Sequence, residues 1–358
     1  MRARGARGGG RGRAGGRAGR RRGAGAAWPV PQHSRGSPKC CGCGCGCEAA
    51  SLGARLGGGP EKKDGLPPLG AHAAVWGLAR GWTPDDLDVA ADAACVYGFD
   101  VLELPLFDPE TVEQEAARAV LEENMHIVPT ASLGLSLATD ISSDSADVAA
   151  AGEALLTGAL EAAAGVGCPV LTGVLHSAMA KYPGPASPGA WKRSVAAIRR
   201  LADRAADLDI TIGLEAVNRY ESNLINTAAQ CAEFCEDVGR KNVVVHLDSY
   251  HMHIEEAGFE GAVRAAGCRL GYVHIGESHR GPLGTGNVDF RPLFRALAAA
   301  DYTGPLVYEA FSPAAAGPEL AAALSCWRTT WSDADDLVEQ ANNFIASEWR
   351  AAAAARSL

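Results

Sequence analysis

Four short apolar runs in the second half of the chain each end in a residue that can bind a metal ion. These residues are Glu215, Asp248, His274 and Glu309. Three carboxylates and one imidazole form a hard, mostly oxygen ligand set, which suits Mn²⁺ or Mg²⁺ and also accepts Co²⁺. Zinc is less favoured because no thiolate contributes. The pattern therefore predicts one divalent metal site.

A carboxylate at the end of a strand is also common as a helix N-cap or as a salt-bridge partner. That interpretation fits any one of these residues taken alone. It explains less well why three apolar runs end in a carboxylate and a fourth in a histidine. Converging carboxylates repel each other, and a bound cation removes the repulsion. We therefore favour the metal site.

The elements that must position these residues are predicted by hydrophobic periodicity, in which short apolar runs alternate with Ala- and Leu-rich segments of helical period. The predicted strands are residues 71–76, 100–104, 126–131, 169–174, 210–216, 243–248, 270–275 and 305–310. The predicted helices lie near residues 84–97, 109–124, 145–165, 188–208, 226–240, 258–267, 290–300 and 333–350. Eight β–α units in about 280 residues predict an α/β fold, a single (β/α)₈ TIM barrel over residues 71–350. The alternative, a doubly wound sheet, needs a Gly-rich phosphate turn after an early strand, and the sequence has none there.

The charge of the chain divides it into two parts. Residues 1–70 hold fourteen Lys and Arg against three Asp and Glu, a net charge of +11. Residues 71–358 hold nineteen Lys and Arg against thirty-nine Asp and Glu, a net charge of −20. Phosphates would be repelled by so acidic a body, which argues against nucleic acid as its partner. The sequence contains no stretch of 18 or more apolar residues, so it predicts no membrane span.

Residues 1–70 are expected to be a disordered extension, rich in Arg, Gly and Ala and then in Cys, because they hold few large apolar residues. An organelle transit peptide and a non-functional extension are both compatible with this composition, and an RNA-binding tail is a weaker alternative. Five cysteines between Cys40 and Cys47 are interpreted as low complexity rather than as a thiolate cluster. The other six are scattered, which indicates a reducing compartment. We expect a cytoplasmic protein and not a secreted one. If the extension is a transit peptide, we expect the protein in an organelle stroma or matrix.

The motifs around the four strand ends resemble those of the ketose 3-epimerases, the family of D-tagatose 3-epimerase and D-psicose (D-allulose) 3-epimerase. The segments that carry the resemblance are GLEAVNRYE, HLDSYHMHIEE, YVHIGESHRG and YEAF. That family belongs to the xylose isomerase-like TIM barrels, and the resemblance covers roughly residues 71–350. It implies metal ligation by Glu215, Asp248, His274 and Glu309. It also implies that Glu221, His251 and Arg280 hold substrate hydroxyls, and that the protein is a homodimer or homotetramer.

The resemblance implies inversion of C3 in a free ketohexose, of the D-fructose/D-psicose or D-tagatose/D-sorbose type. Such a reaction removes a weakly acidic proton beside the C2 carbonyl and returns one to the opposite face. A metal ion on O2 and O3, with Mn²⁺ favoured, would stabilise the enediolate. We assign Glu215 and Glu309 as the acid/base pair, and expect no organic cofactor. Another sugar isomerase of the superfamily, such as a hydroxypyruvate-type enzyme, is the alternative. A nuclease like endonuclease IV and a binding protein that keeps only the barrel are less favoured.

Several nearby residues are expected to have structural or pocket-lining roles rather than catalytic ones. His246, two residues before Asp248, is expected to pack inside the barrel or to support a ligand. Glu277 and His279 are expected to shape the loop after the seventh strand. Trp76, at the end of the first predicted strand, is a candidate apolar wall for the substrate. Where the family often has aromatic residues after the His-Ser of the fourth strand, this chain has Ala178 and Met179, which bears on sugar preference.

Overall fold

The computed structural model describes residues 49–56, 65–78, 82–124 and 126–356. Eight parallel strands pair in sequence order and close between the first and the eighth. The strands are β1 (Leu69–His72), β2 (Val101–Pro105), β3 (Val128–Leu135), β4 (Val170–Ala178), β5 (Thr211–Ala216), β6 (Val243–Asp248), β7 (Leu270–Ile275) and β8 (Leu306–Tyr308). The predicted (β/α)₈ barrel is confirmed.

Helices cover the outside of the barrel and pack their apolar faces on the strands. They are α1 (Ala49–Leu56), α2 (Pro84–Val96), α3 (Gln114–Glu123), α4 (Ala146–Val166), α5 (Ala190–Asp207), α6 (Ala228–Val238), α7 (Ser249–Glu255), α8 (Phe259–Ala266), α9 (Phe290–Ala299), α10 (Pro313–Ala323) and α11 (Ala334–Ala355). Short 3₁₀ turns lie at Ala73–Trp76, Pro109–Thr111 and Gly267–Arg269. No described helix is both long and apolar enough to cross a membrane.

The first strand ends earlier than the sequence predicts. The periodicity predicts a strand over residues 71–76, but β1 ends at His72 and a 3₁₀ turn follows it. The His72 side chain caps this turn, because its Nδ1 accepts a hydrogen bond from the Ala74 backbone N–H at 3.1 Å. Trp76 therefore lies on the turn and not at the end of a strand.

Helix α1 lies within residues 1–70, the stretch for which disorder is expected, and the structure describes it as an ordered helix. Leu52 and Leu56 are fully buried, in one cluster with Tyr272 and Val307. A Cβ at Gly53 would collide with the Thr303 carbonyl oxygen, so the close approach of α1 to this part of the barrel requires glycine. The possible transit peptide and the cysteine tract lie outside the described residues.

Two helices that the sequence did not predict follow strands that carry the site. Helix α7 begins directly after β6, where the Asp248 side chain accepts a hydrogen bond from the Tyr250 backbone N–H at 2.8 Å. Helix α10 follows β8 and is kinked at Gly317, whose φ is 72°. Seven residues are too few for a clear helical period, and a Gly-Pro pair inside α10 is a helix-breaking signal.

Candidate active site

The four predicted ligands converge at the carboxyl ends of neighbouring strands. Glu215, Asp248 and His274 lie on β5, β6 and β7, and Glu309 follows β8 directly. All four are buried. The Nδ1 atom of His274 lies 3.4 Å from Glu309 Oε1 and 3.8 Å from Glu215 Oε1. Donor atoms of Asp248, His274 and Glu309 all lie within 4.8 Å of one another. The barrel thus brings together residues that are far apart in sequence.

The chemistry of this donor set fits a divalent cation. His274 Nδ1 is buried without a hydrogen-bond partner in the described structure, and it faces carboxylate oxygens. A carboxylate cluster with one free imidazole nitrogen is a typical site for a hard or borderline metal ion. His246 lies one layer deeper on β6: its Nδ1 is hydrogen-bonded to Thr172 Oγ1 at 2.7 Å, its ring packs edge-on against His274, and its Nε2 is buried without a hydrogen-bond partner in the described structure. This agrees with the interpretation of His246 as a packed or supporting residue.

The pKa values of the residues in this cluster are shifted from those of exposed side chains because the cluster is buried. Burial raises the pKa of Glu215 well above its ordinary value, and the charges of Glu309 and Asp248 add to the effect. Burial by itself would lower the pKa of His274, but the carboxylates of Glu103 and Glu309 raise it to about 10. The negative charges therefore stabilise positive charge at this point of the barrel.

Arg280 places a fixed positive charge beside the same carboxylates. Its Nη1 donates to Asp248 Oδ2 at 2.7 Å and also to Glu309 Oε2. Its guanidinium stacks on the Tyr250 ring, 3.8 Å from the ring centroid. The Arg280 backbone has a φ of 58°, a conformation that side-chain-bearing residues rarely adopt. The loop after β7 is thus shaped to turn this side chain into the site.

Glu277 holds that loop in shape, as the sequence analysis expected. Its carboxylate accepts hydrogen bonds from the backbone N–H groups of Ser278, Gly284 and Val288 at 2.8, 3.0 and 3.1 Å. These bonds lower the pKa of Glu277 despite the opposing effect of burial, so the carboxylate is ionised. His279 is in the same loop and contacts Thr285 Oγ1 at 3.1 Å.

Glu221 and His251 are held side by side by Asn218. The Asn218 side-chain amide donates to Glu221 Oε1 at 2.9 Å and to His251 Nδ1 at 2.8 Å. The Asn218 backbone N–H also donates to His251 Nδ1, at 3.2 Å. Burial lowers the pKa of His251 to about 3, so the ring is neutral. Nε2 points toward Glu215 and Asp248, and the guanidinium Nη2 of Arg280 lies 3.3 Å from it.

A cavity opens on this cluster and has one polar and one apolar side. Glu221, His251 and Arg280 line the polar side together with three of the predicted ligands, Glu215, His274 and Glu309. The apolar side is formed by Phe107, Leu133, Val174, Met179, Phe311, Leu320 and Leu324. Trp76 is half-buried on its 3₁₀ turn and is not among the residues that line this cavity in the described structure. Phe311 and Leu320 of α10 are among the apolar residues that line it.

The comparisons with known proteins agree with this geometry. Residues 91–330 match the family described as Xylose isomerase-like TIM barrel. An L-ribulose 3-epimerase from Methylomonas sp. (strain DH-1) is 46% identical over 276 residues, which cover 77% of this chain and 96% of that protein. A ketose 3-epimerase from Arthrobacter globiformis is 43% identical over 277 residues, 77% of this chain and 95% of that protein. The chain belongs to the ketose 3-epimerases of this barrel family.

A solved structure supports the assignment of the epimerase fold along almost the whole barrel. The crystal structure of D-allulose 3-epimerase from Methylomonas sp. in complex with D-allulose superposes with a TM-score of 0.76. It is 45% identical, and the match covers 79% of this chain and 98% of that one. The resemblance that the motifs suggested is therefore confirmed, and the protein is an isomerase.

Sequence reasoning missed two residues that organise the candidate site. Asn218 was quoted within a motif but given no role, although it holds Glu221 and His251. Glu103, in the apolar run VLELP of β2, is fully buried and contacts His274. The signal was available, since a lone carboxylate inside a buried parallel strand is costly unless it has a partner.

Proposed function

We propose that the protein is a divalent-metal-dependent epimerase that inverts C3 of free ketoses. Glu215, Asp248, His274 and Glu309 would hold one cation, with Mn²⁺ favoured over Co²⁺ and Mg²⁺. The observation that carries the proposal is the convergence of three carboxylates on the unpartnered Nδ1 of His274. A divalent cation there would supply a Lewis acid that polarises the sugar carbonyl and acidifies the C3 proton.

Glu215 and Glu309 are the proposed acid/base pair. One carboxylate takes the proton from C3, and the electron pair of the broken C–H bond moves toward the C2 carbonyl to give an enediolate. The other, protonated glutamate delivers a proton to the opposite face of C3, so the two residues exchange roles between the forward and the reverse reaction. Burial of Glu215 supports this role, because it raises the carboxyl pKa above its ordinary value and so favours the proton-carrying form.

Glu221, His251 and Arg280 are proposed to bind substrate oxygens. The guanidinium of Arg280 is a donor, the Glu221 carboxylate is an acceptor for a hydroxyl, and the His251 imidazole can donate or accept according to its tautomer. All three are buried and line the cavity, which makes each hydrogen bond stronger than it would be in open water. A role for Trp76 in binding remains a prediction, which its position on the 3₁₀ turn does not favour.

The proposed substrates are free ketohexoses, of the D-fructose/D-psicose and D-tagatose/D-sorbose type, together with ketopentoses. The inclusion of ketopentoses rests on the relatives, which are named for L-ribulose and for D-psicose. A sugar phosphate is disfavoured because Arg280 supplies the single Lys or Arg side chain among the described residues that line the cavity. Its charge is already balanced by Asp248 and Glu309.

The assembly implied by the family resemblance, a homodimer or homotetramer, is also a proposal. Light scattering on the purified full-length chain measures its mass directly, and a monomer at micromolar concentration would contradict it.

The metal requirement is tested by chelation. Protein stripped with EDTA should convert no ketose, and added Mn²⁺ should restore conversion. Asp248→Asn should bind Mn²⁺ much more weakly by calorimetry, whereas Asp207→Asn, on the exposed end of α5, should bind it as the wild type does. Full activity in a preparation that elemental analysis shows to be free of metal would overturn the proposal.

A further inference from the structure

Glu103 is a buried carboxylate that contacts the predicted ligand His274 and is among the residues lining the cavity. It lies on β2 with 0% of its surface exposed. Its Oε2 accepts a hydrogen bond from the Tyr272 hydroxyl at 2.8 Å and lies 2.8 Å from His274 Nε2. Its other oxygen, Oε1, has no hydrogen-bond partner in the described structure and lies 3.6 Å from His72 Nε2. Burying an ionised carboxylate lowers the stability of the fold unless the charge is paired and hydrogen-bonded.

The surroundings of Glu103 hold its carboxylate in one orientation. The Tyr272 hydroxyl, which donates to Glu103, accepts in turn from Thr130 Oγ1 at 2.8 Å. His72 is fixed by its cap on the 3₁₀ turn and by its contact with Ser132 Oγ at 3.2 Å. Strands β1, β3 and β7 thus each contribute a group that orients the Glu103 side chain.

The contact between Glu103 and His274 determines which imidazole nitrogen is available to the site. A carboxylate beside Nε2 keeps a proton on that nitrogen and leaves Nδ1 as the atom that can coordinate a metal. Nδ1 is the nitrogen that faces Glu215 and Glu309 and lacks a partner. A salt bridge that served only the fold would more often use Lys or Arg, and the structure gives Glu103 no such partner within the described residues.

We propose that Glu103 is a positioning residue, which fixes the tautomer and the ring orientation of His274 so that its Nδ1 binds the divalent cation. The carboxylate also makes the imidazole a stronger donor, as hydrogen-bonded carboxylates do for other metal-bound histidines. This inference rests on the proposed metal site. It assigns Glu103 no contact with the substrate.

The test is a Mn²⁺ titration of EDTA-stripped full-length protein by calorimetry. Glu103→Gln should raise the Mn²⁺ dissociation constant by about 10–100-fold. Tyr272→Phe is the matched control, because it removes the other hydrogen bond to the same oxygen and leaves the contact with His274. Its dissociation constant should stay within about threefold of the wild type, since only a supporting bond is lost.

A second measurement separates positioning from a general role in folding. Thermal unfolding measures two quantities, the Tm of the stripped protein and the rise in Tm on adding Mn²⁺. Glu103→Gln should reduce the second quantity more than the first. If Glu103→Gln does not fold, Glu103→Asp replaces it, because the shorter side chain withdraws from Nε2 while it keeps the charge. It should weaken Mn²⁺ binding by a similar factor.

The outcomes distinguish this inference from the proposed function. If the wild type binds Mn²⁺ and the Glu103 variants bind it equally well, the positioning role is wrong and the metal site stands. If the stripped wild type does not bind Mn²⁺ at all, the proposed metal site itself fails, and the inference fails with it.

Discussion

Glu309 is the residue whose replacement most directly probes the proposed acid/base pair. Glu309→Gln keeps the size of the side chain and removes its ability to take a proton. We expect kcat for ketose epimerisation to fall by about 10²–10⁴-fold, the usual contribution of a general acid or base. The rate measurement should be made at saturating Mn²⁺, so that weaker metal binding does not account for the loss.

The control for this prediction is Glu260→Gln, an exposed position on α8 that is not among the residues lining the cavity. It should leave kcat unchanged. A Glu309→Gln enzyme that turns over ketose at a rate near that of the wild type would show that the acid/base assignment is wrong.

Arg280 is expected to contribute to stability in a way that depends on the metal ion. It supplies positive charge to Asp248 and Glu309, both buried. Arg280→Met leaves these carboxylates without that partner, which typically costs about 3–5 kcal/mol of unfolding free energy. With Mn²⁺ bound by the same carboxylates, the loss should be smaller. Urea unfolding in EDTA and in excess Mn²⁺ measures the difference.

Arg264→Met, at an exposed position on α8, is the control and should change neither unfolding curve. Equal destabilisation by Arg280→Met in EDTA and in Mn²⁺ would show that Arg280 and the metal ion do not share their charge partners.

At the scale of elements, helix α1 packs on the barrel although it lies in a stretch whose composition does not predict a helix. It packs beside the 3₁₀ turn that precedes β7, at the end of the barrel opposite the site. Leu56→Ala removes a fully buried side chain and should lower the unfolding free energy by about 2–5 kcal/mol. We expect kcat to be unchanged, because the candidate ligands lie at the other ends of the strands.

Ala54→Gln, on the exposed face of the same helix, is the matched control. It should leave the urea midpoint nearly unchanged, because Ala and Gln differ little in helix propensity and no buried contact is lost. If Leu56→Ala unfolds at the wild-type midpoint, α1 does not stabilise the barrel.

At the scale of the whole molecule, the sequence predicted those features that repeat along it. Strands β5, β6 and β7 carry regular apolar runs, and their predicted bounds agree closely with the structure. The four candidate ligands were identified because each one stands at the end of such a run. Closing of the barrel then brings them together, which is a property of the topology and not of any one segment.

The features that the sequence did not predict depend on contacts between distant segments. Leu52 and Leu56 stand among Gly and Arg residues, and their burial depends on partners in distant parts of the chain, such as Tyr272. Glu103 looks like an isolated charge until β2 is placed near β7. Trp76 was misplaced because the capping bond of His72, which ends β1, involves a side chain that strand periodicity does not consider.

The central claim is that the protein inverts C3 of a ketose through loss and return of the C3 proton. Incubation of the full-length protein with Mn²⁺ and D-fructose, D-tagatose or L-ribulose in D₂O, followed by NMR, tests it most directly. We predict that deuterium enters at C3 as the C3 epimer accumulates. Deuterium at C1 together with formation of an aldose would contradict the claim and assign the protein to the aldose–ketose isomerases of the same superfamily.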